Sequence, residues 1–159
     1  MQTGQLNIDN TALMKKCLDT STDKSIASIK NTFYKNGIDS FAESRTNPLA
    51  NPHLWPEFSQ VMDHLKTLIN PEEIKFSWYT ITLSGGEMGS HHHPKAKHSV
   101  FVYYVNCNHD HPPLELLIDG KWIKQDCKTG SWLLFSKDTY HRTSANMGSG
   151  DRISISVNI

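Results

Sequence analysis

The chain has 159 residues, with 16 basic and 16 acidic side chains and a formal net charge of zero. This length suits one domain that buries a real core. The even charge balance argues against nucleic-acid binding through bulk charge, and no apolar run approaches the roughly 20 residues of a membrane-spanning helix. The start, MQTGQLNIDN, lacks the basic and then apolar segments of a secretory signal. Three cysteines, Cys17, Cys107 and Cys127, show no CxxC spacing. They read as reduced thiols, so a cytoplasmic location is expected, without a disulfide framework or a cysteine zinc site. Nine histidines, three of them consecutive, are the feature that points to chemistry.

In chain order, Leu13, Met14, Cys17 and Leu18 form a short apolar stripe after Asn10-Thr11, a helix with a cap. A second helix is expected from Ser21-Thr22-Asp23, with Ile26, Ile29, Phe33 and Tyr34 on one face and an end at Asn36-Gly37. Residues 44–56, with three prolines, read as a loop. Pro56 suits the first turn of a further helix. Phe58, Val61, Met62, Leu65, Leu68 and Ile69 follow the helical period until Asn70-Pro71. That amphipathic stretch, 57–69, serves either to cover the rest of the fold or to meet a second subunit as a homodimer.

From Lys75 the period changes. FSWYTITL, SVFVYYV, LELLI, KWI, SWLLF and RISISVNI are short runs rich in β-branched and aromatic residues, separated by Gly, Pro, Asn and Asp. Asp119-Gly120 signals a tight hairpin. The expected fold is mainly β with N-terminal helices. A single domain spans 1–159, with a helical layer and loops over 1–74 and an all-β barrel or sandwich over 75–159.

The segment Gly89-Ser90-His91-His92-His93-Pro94 carries the first site signal. Residues i and i+2 of a strand share a face. His91 and His93 then point together and His92 away, which makes half of a metal site. A third imidazole, His141, follows the apolar run Ser131–Phe135 and could face the same barrel mouth. His98, His109 and His111 are weaker candidates, the last two in a Pro/Asn/Asp-rich loop. The terminal run carries the second signal. Ile153, Ile155 and Val157 occupy one face, and Arg152, Ser154, Ser156 and Asn158 the other. Either the polar face meets solvent, or it points into a barrel, where an inward Arg needs an anion. Its guanidinium offers a rigid fork for a carboxylate, and Ser154 a further hydrogen bond.

Taken together, these residues resemble the iron(II)- and 2-oxoglutarate-dependent oxygenases over about residues 76–159. That family's pattern is a His-x-Asp/Glu pair, a distal His, and an Arg beyond it, often within Arg-x-Ser. Here His91-His92-His93, His141 and Arg152-Ile153-Ser154 match it. The nearest likeness is to a small bacterial and phage-type group. Gly89, His91, His93, Pro94, Ser99 and Tyr103-Tyr104 fit its first half, and Gly130-Ser131-Trp132-Leu133-Leu134-Phe135 with His141 fits its second. The resemblance implies a double-stranded β-helix, or jelly-roll, cupin-like in architecture. It implies Fe(II) on His91, His93 and His141, and 2-oxoglutarate on Arg152 and Ser154. Tyr103 and Tyr104 point to opposite faces, and the resemblance favours Tyr104 as a cofactor contact. The implied activity hydroxylates an unactivated C–H bond with dioxygen, on a small amino-acid-like molecule or a protein residue.

One departure matters. His93 stands where the family places a carboxylate, and Glu87 and Asp110 are the nearest acidic candidates. The departure keeps a cupin-type reading open, a three-histidine metal dioxygenase or isomerase that does not use 2-oxoglutarate. Gly85 to His91-x-His93 and Gly130 to His141 fit cupin spacings, though Lys97 or His98 stands near the acidic ligand's place. A non-catalytic jelly-roll binding protein is a third reading. Trp78, Tyr79 and Trp122 either line a pocket or pack, and the loop 106–113 could act as a lid.

Overall fold

A computed structural model describes residues 1–22, 44–47 and 50–159. Ten strands form two antiparallel sheets. They are β1 (Gln2–Gln5), β2 (Ser44–Asn47), β3 (Phe76–Thr82), β4 (Met88–His91), β5 (Ser99–Asn106), β6 (Leu114–Ile118), β7 (Lys121–Gln125), β8 (Ser131–Ser136), β9 (His141–Thr143) and β10 (Arg152–Asn158). The larger sheet runs β1-β8-β5-β10-β3-β2, and the smaller runs β4-β9-β6-β7. Two facing antiparallel sheets with this order make a double-stranded β-helix.

The central strands of the large sheet are buried on both faces, which explains the near-continuous apolar runs of β5 and β8. Its outer face packs Phe101, Tyr103, Val105, Ile153, Ile155 and Val157 under two helices. These are α1 (Thr11–Thr22) and α2 (Ser59–Leu68), the latter preceded by a 3-10 turn over Pro56–Phe58. Leu13 and Cys17 of α1, with Phe58, Val61, Met62 and Leu65 before and along α2, close this layer. Leu18 points outward instead. The inner face holds Val100, Val102, Tyr104, Leu133 and Phe135 against Leu114 and Leu116 of the small sheet.

The expected helix cap is split between two residues. The Asn10 carbonyl accepts the Met14 N–H at 2.8 Å. The Asn10 side chain accepts the Tyr103 hydroxyl at 2.9 Å instead. Asp9 Oδ1 accepts the Thr11 N–H at 2.9 Å in its place, so one of the free donors of the first turn still finds a partner. The helix runs on through Ser21 and Thr22, where a second one was expected to start. The rest of that expected helix, 23–37, lies outside the described residues.

The Asp119-Gly120 hairpin forms, with both residues at positive φ (49° and 75°), as the turn's backbone twist requires. Two strands depart from the sequence reading. β2 occupies Ser44–Asn47, within the stretch read as loop, and pairs with β3 from Ser44↔Thr82 to Asn47↔Tyr79. β1 pairs with β8 from Gln2↔Leu134 to Gln5↔Ser131. Both are sheet-edge strands held by backbone pairing, so neither needs an apolar pattern. Gly4 is required in β1, because a Cβ there would lie 2.6 Å from the Trp132 indole.

Candidate metal centre and anion pocket

Three short segments bring the imidazoles together. In the β4–β9 ladder His91 lies directly opposite His141. His93 follows just beyond the end of β4, so strand alternation alone does not place it. Its N–H donates to the Lys137 carbonyl at 2.9 Å, which fixes the turn next to β8. The ligating atoms of His91, His93 and His141 all fall within 4.8 Å of one another. His93 Nε2 and His141 Nε2 are 3.1 Å apart.

The tautomers of two rings are set by the backbone. His91 Nδ1–H donates to the Gly89 carbonyl at 2.9 Å, and His141 Nδ1–H to the Thr139 carbonyl at 3.1 Å. An imidazole held this way presents Nε2 as its ligating atom. Burial, and then the neighbouring histidines, hold the cluster neutral. The pKa of His93 is pushed down to about 3, and that of His141 lies well below its ordinary value. Burial likewise lowers His91, partly opposed by its bond to Gly89. Three neutral, convergent imidazoles are the donor set of a transition-metal site. Packing holds the walls: Phe135 meets the His141 ring edge-on at 5.1 Å, and Trp78 lies 5.3 Å from the His93 ring.

His92 faces away, against Tyr140 at 4.6 Å. Among the described residues the cluster contains no carboxylate. Asp110 accepts both the N–H and the hydroxyl of Ser149, at 2.9 and 3.0 Å. His111 bonds the Ser149 carbonyl at 3.1 Å. The histidine loop 106–113 is thus tied to the turn before β10. Trp122 packs under the Arg142 guanidinium at 4.1 Å. Arg142 alternates with the inward His141 and Thr143 and pairs with Glu115 at 2.6 Å, so this trio belongs to the outer face of the small sheet. Tyr79 lies in the helix-covered layer, where its ring packs 5.9 Å from Trp55.

The polar face of β10 points into the barrel. Arg152 is 2 % exposed and Ser154 7 %, and both lie on the inner side of the large sheet. Ser154 pairs across with Thr80 on β3 and Tyr104 on β5. A register shift at Ile153/Ser154 carries Arg152 past Tyr104, and its guanidinium sits 4.9 Å from that ring's centroid. Tyr103 points the other way, to Asn10.

No carboxylate meets Arg152 among the described residues. Its Nε and the Tyr104 hydroxyl are both buried without a partner of ordinary hydrogen-bond geometry. Burial opposes the guanidinium charge, but Tyr104, Cys127 and Cys107 beside it raise its pKa. Burial likewise pushes the Tyr104 phenol up. A buried guanidinium with its Nε unpaired, next to a buried hydroxyl in the same condition, suits an anion with two acceptor oxygens. The cysteines beside Arg152 are what the sequence reading missed. Their only signal is position, with Cys107 just after β5 and Cys127 just before β8.

No family model and no curated protein matches this sequence. Solved structures do match its fold. A prolyl-4-hydroxylase from Pseudomonas putida aligns with a TM-score of 0.73 at 14 % identity, covering 99 % of this chain and 91 % of that one. The viral collagen prolyl hydroxylase of Paramecium Bursaria Chlorella virus-1, solved as a 2-oxoglutarate complex, gives 0.67 at 12 % identity, with 99 % and 93 % covered. HygX from Streptomyces hygroscopicus, solved with nickel, 2-oxoglutarate and hygromycin B, gives 0.57 at 10 % identity, with 74 % and 69 % covered. The fold is thus the jelly-roll of the 2-oxoglutarate oxygenases.

Proposed function

We propose that the protein is an iron(II)- and 2-oxoglutarate-dependent oxygenase that hydroxylates an unactivated C–H bond of a small-molecule or peptidyl substrate, using dioxygen. Within that family it fits the small bacterial and phage-type group that its motifs resemble. The observation that carries the reading is the pairing of two sites in one barrel. A neutral three-histidine cluster stands with a buried Arg152 that has no carboxylate partner among the described residues.

His91, His93 and His141 would hold the iron, which supplies redox chemistry toward dioxygen and a Lewis acid for the oxo-acid's chelating end. Arg152 would bind the far carboxylate of 2-oxoglutarate, and Ser154 and the Tyr104 hydroxyl would complete its hydrogen bonds. The carbonyls of Gly89 and Thr139 hold the His91 and His141 rings in place. Phe135 and Trp78 pack against the His141 and His93 rings and fix their planes. The test is succinate formation from 2-oxoglutarate with Fe(II) and dioxygen. Stoichiometric succinate supports the reading, and none with a loaded metal site removes it.

One observation favours a second reading, that of a three-histidine cupin-type metal dioxygenase or isomerase. His93 occupies the carboxylate's position, and no acidic side chain joins the cluster among the described residues. That reading expects metal-dependent activity without 2-oxoglutarate and tolerance of Arg152 replacement.

A further inference from the structure

Two of the three cysteines meet where neither the fold nor the metal cluster calls for a thiol. Cys107 and Cys127, 20 residues apart, have their sulfurs 3.0 Å from each other. The Cys107 backbone is pinned to the turn beyond Cys127. Its N–H donates to Thr129 Oγ1 and its carbonyl accepts the Thr129 N–H, both at 2.9 Å. The pair also lies against Arg152, whose charge acts on both thiols. The register of β10 with β5 explains this. Ile153 pairs with Asn106, so the strand's next residue, Cys107, comes up beside Arg152.

The two sulfurs are not equivalent. Cys107 donates its S–H to Cys127, which raises the pKa of the first thiol and lowers that of the second. Cys127 is half-buried and within reach of a small oxidant, whereas Cys107 is 3 % exposed. The third thiol, Cys17, lies buried under the helical layer, and burial pushes its pKa up to about 12. A thiolate attacks, and a neighbouring thiol resolves.

We propose that Cys107 and Cys127 are a redox modification site, a dithiol closed to a disulfide by a hydroperoxide, and that its closure changes how the adjacent Arg152 holds an anion. The Cys127 thiolate attacks the distal peroxide oxygen and the O–O bond breaks. Cys127 becomes a sulfenic acid, and the departing alkoxide or hydroxide takes up a proton. Cys107 Sγ then attacks the Cys127 sulfur. The S–S bond forms, the S–O bond breaks, and the Cys107 proton leaves with the hydroxide as water. The two thiols lose two electrons, and the peroxide gains them. The sulfurs need close by only about 1 Å to bonding distance.

The consequence for Arg152 rests on the oxygenase reading. In the dithiol state the Cys127 thiolate competes with the cofactor's carboxylate for the guanidinium, and in the disulfide state it does not. The test uses the whole protein, reduced, treated with hydrogen peroxide and quenched, with thiols counted in denaturant. The count is expected to fall from the chain's three cysteines to one. Peptide mapping should join Cys107 to Cys127, and dithiothreitol should restore the thiols. In Cys107→Ser, Cys127 should stop at a sulfenic acid that a cyclic diketone traps. A count that stays unchanged, or Cys127 over-oxidised with Cys107 intact, overturns the site.

Calorimetry of both redox forms with Fe(II), under argon at pH 7.5, reads the consequence. 2-Oxoglutarate should bind about tenfold more tightly to the oxidised form, a change of about 1.4 kcal/mol. Equal affinities overturn the link to Arg152. If neither form binds 2-oxoglutarate while the thiol count still falls, the oxygenase reading fails and the dithiol site stands.

Discussion

His91 and His141 face each other across the β4–β9 ladder, with ring centroids 4.1 Å apart and each Nδ1–H tied to a backbone carbonyl two residues upstream. Both rings are thus held by the same device, a backbone carbonyl on Nδ1 that turns Nε2 toward the cluster. His93, which arrives from the turn after β4, completes the cluster.

Replacing His141 by Ala should remove stoichiometric metal, while His92→Ala should retain it. Losing even an outer hydrogen-bond partner of a metal ligand costs about 10–100-fold in affinity, and losing the ligand should cost at least that. Metal analysis after tag-free purification checks this, with circular dichroism to confirm folding.

The metal-free protein should lose stability as the medium becomes acidic. The folded-state pKa of His93 lies at about 3, below its ordinary 6.5. Unfolded chains therefore take up protons in that window and folded ones do not. The contribution of the buried neutral ring is complete above pH 6.5 and drains away as pH falls toward about 3. His91 and His141 shift in the same direction. Urea melts at several pH values with chelator present read the slope. For the same reason, metal binding near pH 7 should release few protons from these rings. Calorimetry in buffers of different ionisation enthalpy measures that release.

Arg152→Met should change the stability of the metal-free fold by no more than on the order of 1 kcal/mol, because the cost of burying the guanidinium offsets what Tyr104 and the two cysteines return to it. The same variant should lose the thermal protection that 2-oxoglutarate gives the wild type. Differential scanning fluorimetry with and without the dicarboxylate separates the two effects.

Tyr104→Phe removes a buried hydroxyl that has no hydrogen-bond partner of ordinary geometry. It should cost the metal-free protein nothing, and weaken 2-oxoglutarate by roughly 2–10-fold if the hydroxyl donates to the carboxylate. Tyr103→Phe, whose hydroxyl bonds Asn10, should instead destabilise the fold by about 1 kcal/mol and leave cofactor affinity alone.

Leu65 is fully buried between α2 and the large sheet. Leu65→Ala should lower stability by about 2–5 kcal/mol. Denaturant melts will show whether the helical layer unfolds with the barrel, as one transition, or ahead of it.

The jelly-roll was legible because a sheet buried on both faces writes itself as apolar runs, as in Val100–Val105 and Trp132–Phe135. β1 and β2 were not legible, since QTGQ and SRTN pair only at sheet edges and carry no face to bury. Alternation along Arg152–Asn158 told two faces apart, but only packing decides which one turns inward. The helices cover Ile153, Ile155 and Val157, so the arginine goes inside. The cysteine pair was invisible for a related reason. Sequence spacing cannot show that the ends of β5 and β7 converge beside Arg152.

The most direct test of the account is the dissociation constant of 2-oxoglutarate for the iron-loaded protein under argon, in wild type and Arg152→Ala. If Arg152 is the cofactor's carboxylate partner, the wild type binds, and the variant binds at least about a hundredfold more weakly, as loss of a buried charge-assisted pair requires. Equal affinity in the two proteins would contradict the account.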